Sequence, residues 1–588
     1  MSELSILDNN YLCVRCSFEE KDKVKFTGGM FDRASKTWLM PCTDFNVKYL
    51  INNLNDVQFG ENFDEKFNKQ LAREERLNKI AKMAQVDAPV KFKVPGIKIT
   101  DKFDLYNYQK LGVLYALTTT NGVLLADMCG LGKTLQAIAV ACYKKYKEGI
   151  TNCLIVTPAS LKWNWPLEIE RFTDEKYVVI DGSPEERLRQ WRRDVFFYVV
   201  NYETLIEDWF GGKNLKIKSG EENTPKGKKK KQQMERAAMR AEKLAGLRER
   251  VWDIMVVDEI HALKSHESRR SECCKSIQAY FKMGLTGTPI DGKLEELHSI
   301  YEFILPGLFE CKTAFLQHHA NFDFMGKITS YKEIGRCRDR IKPFFLRRRK
   351  EEVLKDLPPK IYQNRFVLLS DKEREVYDQL ADHEHEITES AQAMEKVLRC
   401  KQFCDHPELI GLDMKQHSKM DMFEEILDEL VVQNNARVIV FSQYAKMCHL
   451  LIENVIKPMK LKYLYIWGET DKKLRADYQA MFNTDKSIDL IIGTDAMSTG
   501  LNLYGSSYVI NYDDFWSPSI MEQREDRSHR IGQKSTVNVI NFIVKDTIEE
   551  RVREVLYSKS KVSADVLGDT TEETVLKRLG PTDIAKLL

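Results

Sequence analysis

Lys133 and Thr134 follow Gly130-Leu131-Gly132 directly, behind the apolar run Val123-Leu124-Leu125-Ala126 and at the head of a stretch with helical spacing to Lys147. A strand that feeds a glycine-containing loop opening a helix aims backbone N–H groups and the positive end of a helix at one point, which suits phosphate. Lys133 would reach the outer phosphates of a nucleotide, and the Thr134 hydroxyl would hold Mg2+. Asp127 stands where the usual phosphate loop begins with glycine. A second element follows. Ile254-Met255-Val256-Val257 reads as a buried strand and ends in Asp258-Glu259-Ile260-His261. Two adjacent carboxylates at the tip of an apolar strand need a partner, because uncompensated charge near a core is costly. Asp258 suits a Mg2+ contact through water, and Glu259 suits activation of an attacking water. Leu285-Thr286-Gly287-Thr288-Pro289 places hydroxyls around a glycine after another strand, which suits a hinge that senses phosphate. Far downstream, Arg527 and Arg530 in Asp526-Arg527-Ser528-His529-Arg530 are three apart and would share a helix face. Such a pair could act as arginine fingers toward a transferring phosphoryl group.

These residues need a scaffold that brings strand ends together. Val123 to Ala126, Cys153 to Val156, Phe196 to Val200 and Ile254 to Val257 are continuous apolar runs alternating with helical stretches. That alternation predicts a parallel sheet covered on both faces. It recurs in Val438 to Phe441, Leu490 to Ile492 and Tyr508 to Ile510. The fold class expected is α/β, with two tandem parallel-sheet lobes, helical insertions and a small N-terminal α+β module.

The chain has 588 residues, 43% hydrophobic and 30% charged, with a formal net charge of +2. It is long enough for several cores, and any basic surface must be local. No apolar run reaches membrane-spanning length. The opening MSELSILDNN lacks the basic and apolar regions of a secretory signal. The 13 cysteines are scattered, as expected of reduced packing residues in an intracellular protein. That means a nucleus in a eukaryote, or the cytoplasm in a prokaryotic or viral setting. Cys13 and Cys16 have no second pair at zinc-site spacing, and on a strand they point to opposite faces. Cys400, Cys404 and His406 are read as packing residues.

The expected organisation is a small module over 1–60, a helical connector over 61–100, and a first lobe over 101–293. A protrusion and link region covers 294–419, a second lobe 420–545, and a helical brace 546–588. Within the first lobe, 211–250 carries Lys228-Lys229-Lys230-Lys231 and reads as a basic surface insertion.

Taken together, these residues resemble the Swi/Snf-type helicase-like ATPases of superfamily 2, over roughly Tyr106 to Asp565. The closing Asp526-Arg527-Ser528-His529-Arg530-Ile531-Gly532-Gln533 is the strongest marker. The resemblance implies RecA-like lobes, ATP with Mg2+, and DNA as partner. It makes Gln109 an adenine-reading residue beside Gly130, Leu131, Gly132, Lys133 and Thr134. Thr157-Pro158-Ala159-Ser160 with Trp165, and Asn201-Tyr202, look like the first lobe's DNA-contact motifs, giving Ser160, Trp165 and Tyr202. Phe441-Ser442-Gln443 and Gly500-Leu501-Asn502 are similarly placed in the second lobe, giving Ser442, Gln443, Gly500 and Asn502. Phe344-Phe345-Leu346-Arg347-Arg348 and Leu357-Pro358-Pro359-Lys360 match the family's link region. Met128 replaces a usual acidic residue, and Met497-Ser498-Thr499 replaces frequent paired glycines.

The N-terminal module is similar to the one ahead of the motor in annealing helicases. Lys23, Lys25 and Lys36 could meet phosphates, while Phe31 or Trp38 could stack on bases or instead build a small β core. The implied activity is translocation on double-stranded or forked DNA, with remodelling or reannealing of branched structures. Repair or replication proteins are the partners this implies, with no membrane and a monomeric chain. Strand separation, remodelling of chromatin or protein–DNA complexes, and a non-hydrolysing DNA-binding scaffold are the alternatives.

Overall fold

The structure, a computed structural model, describes residues 2–99, 104–210, 250–290, 293–354, 357–381, 390–414, 417–498, 501–515, 518–529, 533 and 535–553. The basic insertion, apart from Arg250, lies outside the described residues, as do Gly500, Arg530 and the brace beyond residue 553. The chain divides into two compact units, Met1–Ala320 with Lys332–Val353, and Leu354–Asp565 with Asn321–Tyr331.

The first unit opens on a five-stranded sheet: β1 (Ser2–Ile6), β2 (Tyr11–Arg15), β3 (Met30–Asp32), β4 (Thr37–Pro41) and β5 (Val57–Phe59), in the order β3-β4-β2-β1-β5. Alternation along β1 and β2 turns Leu4, Ile6, Leu12 and Val14 onto a core closed by Val47 and Leu50 of the helix Asp44–Asn53. The strands β1, β3 and β5, three to five residues long, carry too little apolar signal to be read from the sequence. This module is not free-standing. Tyr11 Oη donates to Pro306 O at 3.1 Å, and Asn121 Nδ2 to Asn9 O at 3.1 Å. Gly28, at φ +88°, lies so close that a Cβ there would sit 2.3 Å from Gly307 O. The connector is the helix Phe63–Gln85, which packs on the first helix of the lobe, Asn107–Thr118.

The lobe itself is a seven-stranded parallel sheet: β6 (Gly122–Leu125), β7 (Cys153–Thr157), β8 (Tyr177–Val179), β9 (Phe197–Asn201), β10 (Trp252–Asp258), β11 (Ala279–Leu285) and β14 (Phe345–Leu346). Its order is β14-β6-β11-β10-β7-β9-β8. Helices on its faces bury Val123, Leu125, Ile155, Val199, Ile254 and Val256, as continuous apolar strands require. Between β11 and β14 the chain forms helices and a hairpin, β12 (Ala320–Phe322) with β13 (Ile328–Tyr331).

The second unit holds a six-stranded parallel sheet: β15 (Lys360–Val367), β16 (Val438–Phe441), β17 (Tyr463–Ile466), β18 (Leu490–Gly493), β19 (Tyr508–Asn511) and β20 (Val537–Val544), in the order β15-β20-β19-β16-β18-β17. The link region expected over 294–419 is therefore not one block. Phe345-Leu346 is an edge strand of the first sheet, pairing with Leu124-Leu125, and Lys360–Val367 is an edge strand of the second, pairing with Val537–Val544. A two-residue strand and a polar strand reading Lys-Ile-Tyr-Gln-Asn-Arg-Phe-Val carry little hydrophobic signal, which is why pattern alone merges them. Among the described residues, no helix is long and apolar enough to cross a membrane.

Candidate active site

The phosphate loop runs from the end of β6 to the helix Lys133–Glu148. Gly130 and Gly132 take φ +90° and +77°, a region glycine enters at little cost. Gly132 needs its small size as well, since a Cβ there would meet Gln109 Nε2 at 2.5 Å. Gln109 is buried over the loop and donates to Leu131 O at 3.3 Å, while its Oε1 accepts from Tyr106 N. Lys133 Nζ donates to Asp127 O at 2.6 Å and Met128 O at 3.4 Å, so the ammonium lies across the loop that surrounds it. Thr134 sits in the first turn of the helix, partly exposed.

Asp127 occupies the usual first-glycine position for a reason the sequence does not disclose. Its buried carboxylate accepts from Arg348 Nε at 2.9 Å, from Arg348 Nη2, and from Gln136 Nε2 at 3.1 Å. Arg348 also donates to Tyr108 O, and its own carbonyl accepts from Met128 N at 3.1 Å. The link-region arginine thus braces the loop from the side of β14.

The strand β10 delivers Asp258 beside this loop, because β6, β11 and β10 are neighbours pointing the same way. Asp258 is buried. Its Oδ2 accepts from Trp165 Nε1 at 2.9 Å and Thr157 Oγ1 at 3.1 Å, and its Oδ1 from Glu259 N at 3.0 Å. Burial and the adjacent Glu259 carboxylate push its carboxyl up to about 6, against the pull of those donors and of Lys133. Glu259 is held at φ +49°, a strained position for a residue with a Cβ. Tyr202 Oη, donating to Asp258 O at 2.7 Å, helps fix that turn. His261 Nδ1 lies 3.3 Å from both Glu259 Oε2 and Thr286 Oγ1. Gly287 closes the group: a Cβ there would stand 2.9 Å from Cys129 Sγ and 3.8 Å from Lys133 Nζ. Arg347 Nη1 donates to Gly287 O at 3.0 Å. Lys133, Asp258, Glu259 and the Thr286-Gly287-Thr288 turn therefore meet at the carboxyl ends of three adjacent strands, where open parallel sheets bind ligands. The donor set fits a nucleotide with a hard cation: a lysine, loop amides, a threonine hydroxyl and a buried carboxylate.

Three of the expected DNA-contact side chains point elsewhere. Trp165 and Tyr202 are buried and spend their polar atoms on Asp258. Ser442 is buried and donates to Asp513 Oδ2 at 2.5 Å. A side chain sealed inside a lobe cannot meet a phosphate backbone, so these three support their loops rather than form a surface. Ser160 is half-buried and Asn502 exposed. Gln443, also half-buried, takes its backbone N–H to Asp513 and accepts from Lys401 Nζ at 3.0 Å. In the N-terminal module Trp38 leans on the core, while Phe31 lies exposed against it with ring centroids 5.0 Å apart.

In the second unit the helix Pro518–Glu525 ends before Arg527, which lies in the following turn; Arg530, its expected companion, lies outside the described residues. Arg527 is buried, donating to Leu501 O and Gln523 O at 3.0 Å each. Sequence reasoning missed Arg524, which is fully buried and binds Asp495 at 2.7 Å and Asp513 at 3.3 Å. Its place in the same basic run was the available signal. A further trio was also missed. His298 and Glu302, four apart on one helix, gather with His266, their ligand atoms within 4.8 Å of one another. Lys275 Nζ lies 2.7 Å and His266 Nδ1 2.9 Å from Glu302 Oε2, and His298 Nε2 donates to Glu310 O at 2.7 Å.

Fold and site define a two-lobed α/β protein with a phosphate loop at the sheet edge of its first lobe. The sequence pattern of the SNF2-related domain matches residues 53–409, and that of the helicase conserved C-terminal domain matches 418–532. The chain belongs to the SNF2-related family. A putative ATP-dependent helicase/translocase of Bacillus subtilis is 28% identical over 495 residues, covering 81% of this chain and 50% of the relative. The human SWI/SNF-related matrix-associated actin-dependent regulator of chromatin subfamily A member 1 is 28% identical over 493 residues, covering 79% of this chain and 44% of the relative. The chain thus spans about half the length of the curated relatives it matches. A solved Sulfolobus solfataricus SWI2/SNF2 ATPase core in complex with dsDNA is 26% identical, with 81% of this chain and 95% of that chain covered, at a TM-score of 0.38.

Proposed function

We propose that this chain is a DNA-stimulated ATPase that translocates on double-stranded or branched DNA and remodels or reanneals it. The observation that carries the reading is the meeting of Lys133, Asp258, Glu259 and Thr286-Gly287-Thr288 at one sheet edge. In this reading Lys133 and the loop amides bind the phosphates of ATP, and Gln109 sits toward the base. Thr134 and Asp258 would hold Mg2+. The ion supplies charge neutralisation for the transferring phosphoryl group. Glu259 orients and deprotonates the attacking water, while Trp165 and Thr157 keep the Asp258 carboxylate in place. Arg530 is the proposed source of positive charge for the transition state, while Arg527, buried and bonded to Leu501 O and Gln523 O, holds its own turn. DNA is gripped mainly through phosphates, a sequence-tolerant contact. Ser160, Gln443, Gly500 and Asn502 remain the proposed DNA-facing residues.

A protein–DNA remodelling role is the second reading, and similarity to a human SWI/SNF-related regulator of chromatin favours it. One experiment tests both. ATP turnover is measured without DNA and with duplex, single-stranded, forked and nucleosomal DNA. The proposal expects duplex or forked DNA to stimulate, and Lys133→Ala to abolish turnover while DNA binding remains. Stimulation by single strands alone would return the strand-separating reading. Unchanged turnover in Lys133→Ala would remove the site assignment.

A further inference from the structure

His266 and His298 face each other within the first unit, on the two segments that leave β10 and β11. His266 lies in the turn beyond Ile260–Leu263, and His298 on the helix Leu294–Ile304. Their ring centroids are 5.0 Å apart with the planes at 43°, which is not a stack, and His298 Nδ1 comes to 3.3 Å from His266 Nε2. The outer nitrogen of each ring is already committed as a donor. His298 Nε2 donates to Glu310 O at 2.7 Å, and His266 Nδ1 to the Glu302 carboxylate at 2.9 Å. A neutral imidazole carries one proton, so both inner nitrogens are left with lone pairs that face each other. Two lone pairs this close repel unless a cation bridges them.

A metal ion fits that bridge. Zinc–nitrogen bonds of about 2.0–2.1 Å at a tetrahedral angle set two ligating nitrogens about 3.3 Å apart. The groups behind the rings have the form of a metal site as well. A carbonyl and a carboxylate receive the outer N–H groups, fix each tautomer and raise the basicity of the nitrogen opposite. Glu302 also accepts from Lys275 Nζ at 2.7 Å, and it keeps a ligand atom within 4.8 Å of those of both histidines. His298 is buried against the Phe315 ring, whereas the His266 side chain keeps 14% exposure and leaves solvent a way in. We propose that His266 Nε2 and His298 Nδ1 bind a divalent transition-metal ion that favours imidazole, Zn2+ first, with Glu302 orienting His266 and water completing the shell. Two nitrogen donors do not suit Mg2+, which takes oxygen ligands. The ion would staple the segment after Asp258-Glu259 to the helix after Thr286-Gly287-Thr288. The site is independent of the ATPase reading above.

The test uses the full chain, reduced and stripped with EDTA, and the chlorides of Zn2+ and Mg2+. Isothermal titration with ZnCl2 should show one equivalent in the wild type that is lost in His266→Ala and in His298→Gln. Comparing the variants separates this equivalent from zinc held by any of the 13 cysteines. Saturating ZnCl2 should raise the wild-type unfolding temperature by at least about 3 °C, and the increment should vanish from both variants. Glu302→Gln keeps an acceptor but not the charge, and should weaken the equivalent roughly ten-fold. His266→Ala falls in a partly exposed turn and decides the matter if His298→Gln does not fold. A wild type that binds no zinc, or variants that keep every equivalent, overturns the site, and the two nitrogens then share a proton. A variant that starts less stable yet gains the full increment with zinc also overturns it, since that marks a purely structural pair. An equal rise with MgCl2 overturns the choice of metal, and an unchanged affinity in Glu302→Gln overturns the role given to that carboxylate.

Discussion

Arg348 Nε donates to Asp127 Oδ1 at 2.9 Å, with both side chains fully shielded from solvent. This pair ties the phosphate loop to the strand β14, and it explains an acid where phosphate loops usually carry glycine.

Restoring that glycine should therefore do harm. Asp127→Gly leaves a buried guanidinium without its carboxylate, and breaking one side of such a pair costs about 3–5 kcal/mol. Urea unfolding should register a loss of that size in the first unit. The paired change Asp127→Asn with Arg348→Met removes both charges and should cost clearly less than the sum of the two single changes. A loss below about 1 kcal/mol in Asp127→Gly would mean that the brace contributes little.

Trp165 offers a second discrimination. The family resemblance places it in a DNA-contact motif, whereas the structure buries it and aims its indole N–H at Asp258 Oδ2, 2.9 Å away. Trp165→Phe removes that donor from a charged acceptor, an interaction worth about 1.5–3 kcal/mol. ATP turnover should fall roughly ten-fold, with duplex DNA affinity at fixed salt unchanged within about two-fold. Weakened DNA binding with normal turnover would restore the contact role.

The difference between these two cases shows what the sequence could carry. The apolar runs ending in Asp127 and Asp258 were legible as parallel strands because burial on both faces leaves no polar interruption. Lys133 and the Asp258-Glu259 pair were legible because phosphate chemistry fixes residue type and local spacing together. The partners of those residues were not. Arg348 is 221 residues from Asp127, and Trp165 is 93 from Asp258. Contacts at that separation are set by strand order, which the local pattern does not encode. For the same reason Ser442 and Tyr202 were assigned to a surface: a motif gives identity, while only the packed lobe gives direction. The division of the link region between two sheets was hidden likewise, since Phe345-Leu346 is too short to read as a strand.

Acid should destabilise the metal-free protein through the His266, His298 and Glu302 trio. Burial holds the His298 imidazole down to about 4, so the folded protein keeps it neutral where an unfolded chain would protonate it near 6.5. Its folded value is depressed, so its stabilising contribution is complete above pH 6.5 and is lost as pH falls toward 4. Over that window the loss amounts to about 3 kcal/mol. Glu302 adds a separate, more acidic loss. Its carboxyl is lowered to about 2 by His266 and Lys275 against its own desolvation, so its contribution fades only between the ordinary glutamate range and that value. The groups facing His298 are His266, Glu302 and the Glu310 side chain and carbonyl, and none of them reverses the sign. Urea unfolding at pH 7.5, 6, 5 and 4.5 should show wild-type stability declining from pH 6.5 downward. In His298→Gln, which keeps a donor for Glu310 O but cannot titrate, stability should start lower and decline less, so that the two curves converge as the pH drops. Parallel curves down to pH 4.5 would mean that this imidazole is not the group that acid reaches first.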